Sequence, residues 1–381
     1  MAELKTFEAI LFGAVGLSTV DDTLPFKLFT NEVRTDFKQY VNYRPVKLLN
    51  GIKSPLRTKT QADIDLVVIR KNNESEFVQN VRIMYGDESN GFATDISLFT
   101  RLGSEKIAHY SFQLARKRRN KVTNVTKSNT IINKLAYWDR VIGEVAVQYP
   151  DVEYRKMYIE AATANFILHP EYFDVVLTTN MLGDILSDLG DAIMGSLGFG
   201  PSGNLYTERT LFESIHGSAS DIAGKGIANP FGQIWSVAIM LEYLGEQAAA
   251  DAIVETINKI TTVGVLTIDV GEQNSTKEVA QSILTNAYRN KLPIISEGLA
   301  YWLVNSGVKL ICVEPPSVAD VNKLPEVSLI YEILPENVII VEGLCNLDRL
   351  KSQIFTFIAF PLKIKGGDGS SCRTMAIENN N

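Results

Sequence analysis

The stretch FDVVLTTNMLGDILSD, residues 173–188, joins an apolar run to an amphipathic one through a polar turn. Phe173–Thr179 is short and rich in β-branched residues, as a buried strand should be. The segment that begins at Asn180 has helical spacing instead. In that helix Asp184 and Asp188 stand four residues apart and project from the same face. Strand, polar turn and helix together make a βα unit, and its repetition along the chain would build a largely parallel sheet.

The same alternation extends in both directions. Ala9–Gly13 and Leu66–Arg70 read as buried strands, and Val122–Thr126 as another. Thr100–Lys117 reads as a helix with Leu102, Ile107, Phe112 and Leu114 spaced for one face, and Ala228–Leu244 and Thr276–Asn290 as helices that close this unit. Near Leu292-Pro293 the pattern restarts with a helix (Glu297–Asn305), a strand (Lys309–Val313), a helix (Ser328–Ile333) and a strand (Val338–Val341). A boundary near residue 292 follows. It suits a chain of 381 residues, because a single core stops growing near ~250–300 residues.

Composition narrows the function classes. Apolar residues at 45% and charged residues at 21% describe an ordinary globular protein. A net charge of −7 argues against nucleic acid, which wants a basic face. The most apolar early stretch, Ala9–Val20, is too short to cross a bilayer, and Glu3 and Glu8 stand where a signal peptide carries positive charge. Cys312, Cys345 and Cys372 form an odd, sparse set without CxxC spacing, which fits a reducing cytoplasm better than a disulfide framework. Histidine is scarce: His109, His169 and His216 are the whole supply.

Two carboxylates four residues apart repel one another, and no lysine lies between Asn180 and Gly198 to offset them. At the carboxyl end of a parallel strand the pair reads as half of a hard-cation site. It reads equally as a surface helix start whose acids complement the helix dipole. Nearby, Gly198-Phe-Gly200-Pro-Ser-Gly203 spells GxGxxG but follows a helix, and no helix opens at Gly203, so it is not a dinucleotide fingerprint.

Longer segments carry a resemblance. Phe173–Gly198, His216–Leu244 and Arg34–Leu49 (RTDFKQYVNYRPVKLL) are similar, collinearly from Ile10 to about residue 290, to the isocitrate/isopropylmalate dehydrogenase family, above all to its tartrate and D-malate dehydrogenases. The resemblance implies a two-lobed α/β fold over residues 1–292, with one lobe from 1–45 and 190–292 and the other from 46–189. It implies NAD- and Mg²⁺- or Mn²⁺-dependent oxidative decarboxylation of a small 2-hydroxy dicarboxylic acid of the tartrate, D-malate or 3-isopropylmalate type, in a cytoplasmic homodimer.

Residue by residue, the resemblance makes Arg34, Arg44 and Arg70 the ligands of the substrate carboxylates, a role suited to guanidinium forks. Lys127 matches the lysine that takes part in deprotonating the substrate hydroxyl. Asp184 and Asp188 match two metal ligands, and Glu160 falls where the third is normally aspartate. His216, Gly217, Ser218, Ala219, Asp221, Ile222 and Asn229 match the adenosine side of the cofactor site. Asp221 can accept hydrogen bonds from ribose hydroxyls and repels a 2′-phosphate, which favours NAD over NADP.

Departures stand beside these matches. Phe77 occupies the position of the family's general-acid tyrosine. Family members also carry a strand, glycine loop and helix before the position of Ala9, so the expected fold lacks its first βα unit. A non-catalytic protein that retains metal or nucleotide binding is therefore the alternative reading. Finally, Pro293–Glu378 resembles the carboxyl-terminal part of the cyclase family, with Glu342 at its metal-binding glutamate. Ile330 replaces a ligand histidine and no histidine follows His216, so the expectation there is a small α/β packing segment and not a second enzyme.

Overall fold

A computed structural model describes residues 4–16, 19–21, 23–25, 29–78, 81–84, 91–206, 209–289, 297–312, 339–341, 355–361 and 372–378. The chain divides into two compact units, Met1–Leu284 and Thr285–Asn381.

In the first unit the chain runs β1 (Ala9–Phe12), α1 (Thr23–Pro25), α2 (Asn31–Asp36), β2 (Val41–Lys47), β3 (Asp65–Lys71), β4 (Val81–Met84), β5 (Phe92–Asp95) and α3 (Arg101–Arg116). It continues with β6 (Lys121–Thr126), α4 (Ile132–Ala146), β7 (Glu153–Tyr158), α5 (Ile159–Leu168), β8 (Val175–Thr178) and α6 (Asn180–Met194). Then come β9 (Pro201–Leu205), β10 (Thr210–Ser214), α7 (Phe231–Tyr243), α8 (Gln247–Thr262) and α9 (Thr276–Arg289), whose last turn belongs to the second unit.

Among the described residues eight strands form one sheet in the order β1-β10-β9-β2-β3-β8-β6-β7. It is mixed, not largely parallel. β3, β8, β6 and β7 run parallel through helical crossovers, as does the pair β1 and β10. β2 pairs antiparallel with both β3 and β9, and β9 antiparallel with β10. The connection between β2 and β3, residues 48–64, holds no helix, and without a crossover helix the chain returns in the opposite direction. The resulting register puts Asn42 opposite Arg70 and Arg44 opposite Val68.

Helix α3 begins where its capping residue dictates: the Thr100 hydroxyl accepts from Gly103 N. Its buried face is Gly103, Ser104, Ile107, Ala108, Ser111, Phe112 and Ala115, two interleaved rows of i, i+4. Leu102, expected on that face, is 62% exposed, because it lies five residues from Ile107 and so on the far side of the helix. The core beneath is aliphatic in the strands and aromatic under the helices, with Phe112, Trp138, Phe166 and Phe173 all buried. Trp138 buries its indole without a polar cost, since Nε1 donates to Asn124 Oδ1 at 2.8 Å.

Lys71, next to Arg70 on β3, is a charged group on the sheet's other side with 1% exposure. Its ammonium lies 3.6 Å from Glu74 and donates to Asn73 Oδ1 at 3.1 Å. Burial pulls its pKa down to about 8, against the upward pull of Glu74. An unfolded-chain lysine titrates near 10.4, so between about pH 8 and that value the unfolded chain binds the extra proton. The contribution of Lys71 to stability is thus at its poorest below about pH 8 and improves as pH rises through this window. Denaturant melts of the unmodified chain and Lys71→Met across that range are expected to show their difference shifting in favour of the unmodified chain as pH rises. A pH-independent difference would show that the ammonium keeps its charge beside Glu74.

In the second unit, α10 (Glu297–Asn305) precedes β11 (Leu310–Cys312), which pairs parallel with β12 (Ile339–Val341). β13 (Phe355–Pro361) and β14 (Cys372–Glu378) form an antiparallel pair. The two positions on which the cyclase likeness turns, Ile330 and Glu342, lie outside the described residues, as does the expected helix Ser328–Ile333. Among the described residues no helix is long and apolar enough to cross a membrane.

Candidate active site

Small residues on one face of α6 bring it close to the sheet. A Cβ at Gly183 would meet the side chain of Arg70 at 2.7 Å, so only a bare α-carbon lets the helix lie over β3 with that arginine running beneath it. Asn180, the first residue of α6, fixes the guanidinium from one side: its Oδ1 accepts from Arg70 Nε at 2.8 Å. The Asn180 amide nitrogen in turn donates to the carbonyls of Asn72 and Glu74, tying down the loop that follows β3. Asp184, one turn on, pairs with Arg70 Nη1. Arg44, from β2, donates to Asp184 at 3.2 Å and to the Ser187 hydroxyl at 2.5 Å, and lies 3.9 Å from Asp188.

The helix carboxylates are thus neutralised by arginines contributed by two strands. That explains how the pair tolerates its spacing without interleaved lysines, an explanation invisible to local sequence reading. Burial works to raise the pKa of Asp184, but Arg70, Arg44 and Arg34 together hold it below the ordinary carboxylate range. Asp188, more weakly paired, is raised by burial.

Arg34 approaches from α2, bonded to Glu213 Oε1 at 3.3 Å. Glu213 is held in turn by Asn204 Nδ2 at 2.8 Å, the end of a buried amide chain linking Asn42, Ser202, Asn72 and Asn204. Arg34, Arg44 and Arg70 are all buried, and burial drags the pKa of Arg34 and of Arg70 down, with the charge of Arg44 adding to it. The Nε atoms of Arg34 and Arg44 are buried with no hydrogen-bond partner among the described residues. These groups line a pocket of about 390 Å³ together with Thr30, Phe77 and Asp184. Three guanidiniums facing Asp184 and Glu213, with donors to spare, give the pocket the charge and the hydrogen-bond donors to hold an anion.

Phe77 belongs to this pocket, its ring centroid 5.6 Å from the Arg70 guanidinium carbon. The wall at this point is a hydrocarbon edge with no proton to give.

Lys127 and Glu160 stand apart from the pocket lining and pair with each other, Lys127 after β6 and Glu160 in the first turn of α5. Among the described residues no three His, Cys, Asp or Glu side chains converge in one chain as a metal site. Among the described residues Asp184 and Asp188 are therefore two carboxylates without a third beside them.

The glycine-rich turn after α6 leads into β9, with Gly203 inside a strand and not at the start of a helix. β10 ends at Ser214, and the loop carrying His216, Gly217, Ser218, Ala219, Asp221 and Ile222 leaves its carboxyl end. Ala219 adopts φ 44°, and His216 Nδ1 lies 2.9 Å from Gly217 O. Asp221 is exposed. Asn229 turns inward instead: its Oδ1 accepts from Phe231 N at 2.9 Å at the start of α7, and its Nδ2 donates to Asp269 at 2.9 Å. Asp269 also accepts from Thr267 Oγ1 and from Ser196. Neither Asp269 nor Asn180 is singled out by the sequence. Asn180 at least stands at the head of the decisive helix, whereas Asp269 gives no local signal.

Residues 1–283 match the isocitrate/isopropylmalate dehydrogenase family. The chain is 43% identical over 292 residues to the tartrate dehydrogenase/decarboxylase of Pseudomonas putida, covering 74% of this chain and 80% of that protein. It is 42% identical over 292 residues to the decarboxylating D-malate dehydrogenase of Escherichia coli, covering 74% and 81%. Among solved structures, the isocitrate dehydrogenase of Methylococcus capsulatus superposes with a TM-score of 0.70 at 32% identity, covering 75% of this chain and 83% of that one. The chain therefore belongs to the isocitrate/isopropylmalate dehydrogenase family of enzymes.

Proposed function

We propose that this protein catalyses NAD-dependent, Mg²⁺- or Mn²⁺-dependent oxidative decarboxylation of a small 2-hydroxy dicarboxylic acid, of the tartrate, D-malate or 3-isopropylmalate type. The observation that carries the reading is the pocket of three buried arginines around Asp184, with two buried Nε donors unpartnered among the described residues. The names of the relatives in Pseudomonas putida and Escherichia coli support the substrate class.

Arg34, Arg44 and Arg70 bind and orient the substrate carboxylates, sharing Arg44 and Arg70 with Asp184. Lys127 accepts the hydroxyl proton as the hydride leaves the carbinol carbon. Asp221 would hold the adenosine ribose of NAD, which would supply the hydride acceptor. A divalent cation, when bound, supplies Lewis-acid polarisation of the forming carbonyl, which also eases loss of CO₂. Asp184 and Asp188 fit such a cation, since carboxylate oxygens suit Mg²⁺ and Mn²⁺ and Asp188 is half exposed toward solvent. Glu160, with Lys127, would complete the site from a second copy of the chain, which makes the active form a homodimer. One lobe (1–45 with 190–292) serves the cofactor; the other (46–189) carries Arg70, Lys127 and Glu160.

The deciding experiment is NADH formation from D-malate, tartrate and 3-isopropylmalate with Mn²⁺. Turnover on at least one supports the proposal. Inertness on all three, with the chain folded and dimeric, favours the alternative, a non-catalytic binder, for which Phe77 at the pocket wall is the specific argument.

Two further outcomes are expected. Calorimetric titration with Mn²⁺ should show one weak site per chain, weakened about tenfold or more in the Asp184→Asn, Asp188→Asn double variant, as loss of two charged ligands requires. Equal binding by both proteins would place the cation elsewhere. NAD should bind in preference to NADP, and Asp221→Ala should narrow the gap; equal affinity of the unmodified chain for both cofactors would remove Asp221 from the ribose.

A further inference from the structure

Asp191 is a buried acid that the proposed reaction leaves without a task. It lies on α6, three residues after Asp188 and seven after Asp184, so it continues their stripe inward. It is 1% exposed, and both carboxyl oxygens are buried with no hydrogen-bond partner among the described residues. A carboxyl in that position has a reason to be there only if its neighbours need it, because an unpaired buried polar group costs stability.

Its neighbour is the glycine-rich turn. A Cβ at Gly200 would overlap the Asp191 carboxyl on one side and meet Ile215 Cγ2 at 2.6 Å on the other, so the Gly200 α-carbon is wedged between them. The Gly200 carbonyl accepts from Ile215 N at 3.0 Å, one residue before His216. The turn is therefore held between the helix that carries the proposed metal ligands and the loop proposed to hold the cofactor.

We propose that Asp191 is a positioning residue: its buried carboxyl is the brace on which the 198–200 turn rests, and through the contacts of Gly200 with Ile215 it sets the loop that begins at His216 in the arrangement that receives the cofactor. The inference builds on the NAD-dependent reading above. The charged groups that face the carboxyl are Arg44 from β2 and Asp188 from its own helix. On β3, Arg70 is committed to Asn180 and Asp184. On α5, Glu160 is committed to Lys127. Val175–Thr178 of β8 and Leu197–Leu205 contain no titratable side chain. With so little to stabilise its charge, burial pushes the Asp191 pKa well above the ordinary carboxylate range.

Ionisation would leave two exits. The carboxylate swings to Arg44, drawing that guanidinium from Asp184 and Ser187, or the turn lifts off to admit water. Either one spoils the cofactor seat. Since the seated turn requires the neutral acid, cofactor affinity should fall by up to tenfold per pH unit once Asp191 in the free protein ionises.

The test is NADH binding, followed by fluorescence energy transfer from tryptophan, between about pH 6 and about pH 9, in the full chain and in Asp191→Asn and Asp191→Ala. The unmodified chain should lose affinity as pH rises. Asp191→Asn, which fills the same space without charge, should bind as tightly as the unmodified chain at low pH and hold that affinity at high pH. Asp191→Ala should bind more weakly throughout. An Asn variant that keeps the full pH dependence, or an Ala variant that binds like the unmodified chain, overturns the proposal. Hydrogen exchange of the 196–203 amides separates this from the cofactor reading, since it needs no ligand. If NADH binds to none of the three, the cofactor reading fails. The brace then stands if Asp191→Ala speeds exchange there relative to Asp191→Asn, and falls if the two exchange alike.

Discussion

Phe77→Tyr is expected to raise decarboxylating turnover by roughly 10- to 10⁴-fold, the span one general acid–base group supplies. The ring already occupies the pocket with Arg34, Arg44, Arg70 and Asp184, and it faces the Arg70 guanidinium at 5.6 Å. A phenol there would stand at the reacting end of a substrate held by those arginines. Under the proposed reaction, loss of CO₂ leaves a carbon that must gain a proton, and a phenylalanine edge has none to donate. Oxidation of the hydroxyl does not need that proton, so the unmodified chain should form NADH more readily than it completes decarboxylation. The check is a paired assay of NADH and of the decarboxylated, protonated product with each protein, beside NADH affinity, which should barely change. Unchanged formation of that product by an active Phe77→Tyr protein would remove position 77 from the protonation step.

Arg70→Met is expected to raise KM for the dicarboxylate about 10²- to 10³-fold, because truncating one partner of a buried charged contact typically costs ~2–5 kcal/mol. Arg70 is the most enclosed of the pocket cations, with its side chain 3% exposed. Its Nε serves Asn180 while Nη1 serves Asp184, an arrangement that uses the width of the guanidinium fork. Lysine, a single point donor, cannot reach both, so Arg70→Lys should rescue little of the loss. The same truncation leaves Asn180 Oδ1 without its donor, and about 1–3 kcal/mol of stability should go with it. Steady-state kinetics with a thermal melt separates the two effects. If KM stays within about threefold while the melting temperature falls, Arg70 is a structural prop and the substrate binds elsewhere.

Much of the scaffold is legible in the sequence because it is local. The strands at Ala9, Leu66, Val122 and Phe173, and the helices at Thr100, Asn180, Ala228 and Thr276, follow from runs and periods within a dozen residues, and the structure places elements at all of them. The faces are less secure. The apolarity of Leu102 points it inward, yet the angular register of α3 turns it to solvent. For the site, the sequence supplies the four-residue spacing of Asp184 and Asp188, and the longer motifs supply the three arginines. It offers no hint of Asp191, since a buried acid and an exposed one look alike until something is packed upon them.

By itself, then, the sequence determined those four strands and four helices, the shared face of the two aspartates and the misleading nature of its GxGxxG, each a matter of neighbours along the chain. The tertiary structure alone decided which way β2 runs, because that depends on how a helix-free connection returns to the sheet. It alone decided what offsets the helix carboxylates, because Arg44 and Arg70 come from 140 and 114 residues away. And it alone decided that Asp191 is sealed beneath Gly200, because burial is a property of the surface that closes over a residue. Spacing along a chain fixes which groups share a face; only the packing of distant elements fixes what that face meets.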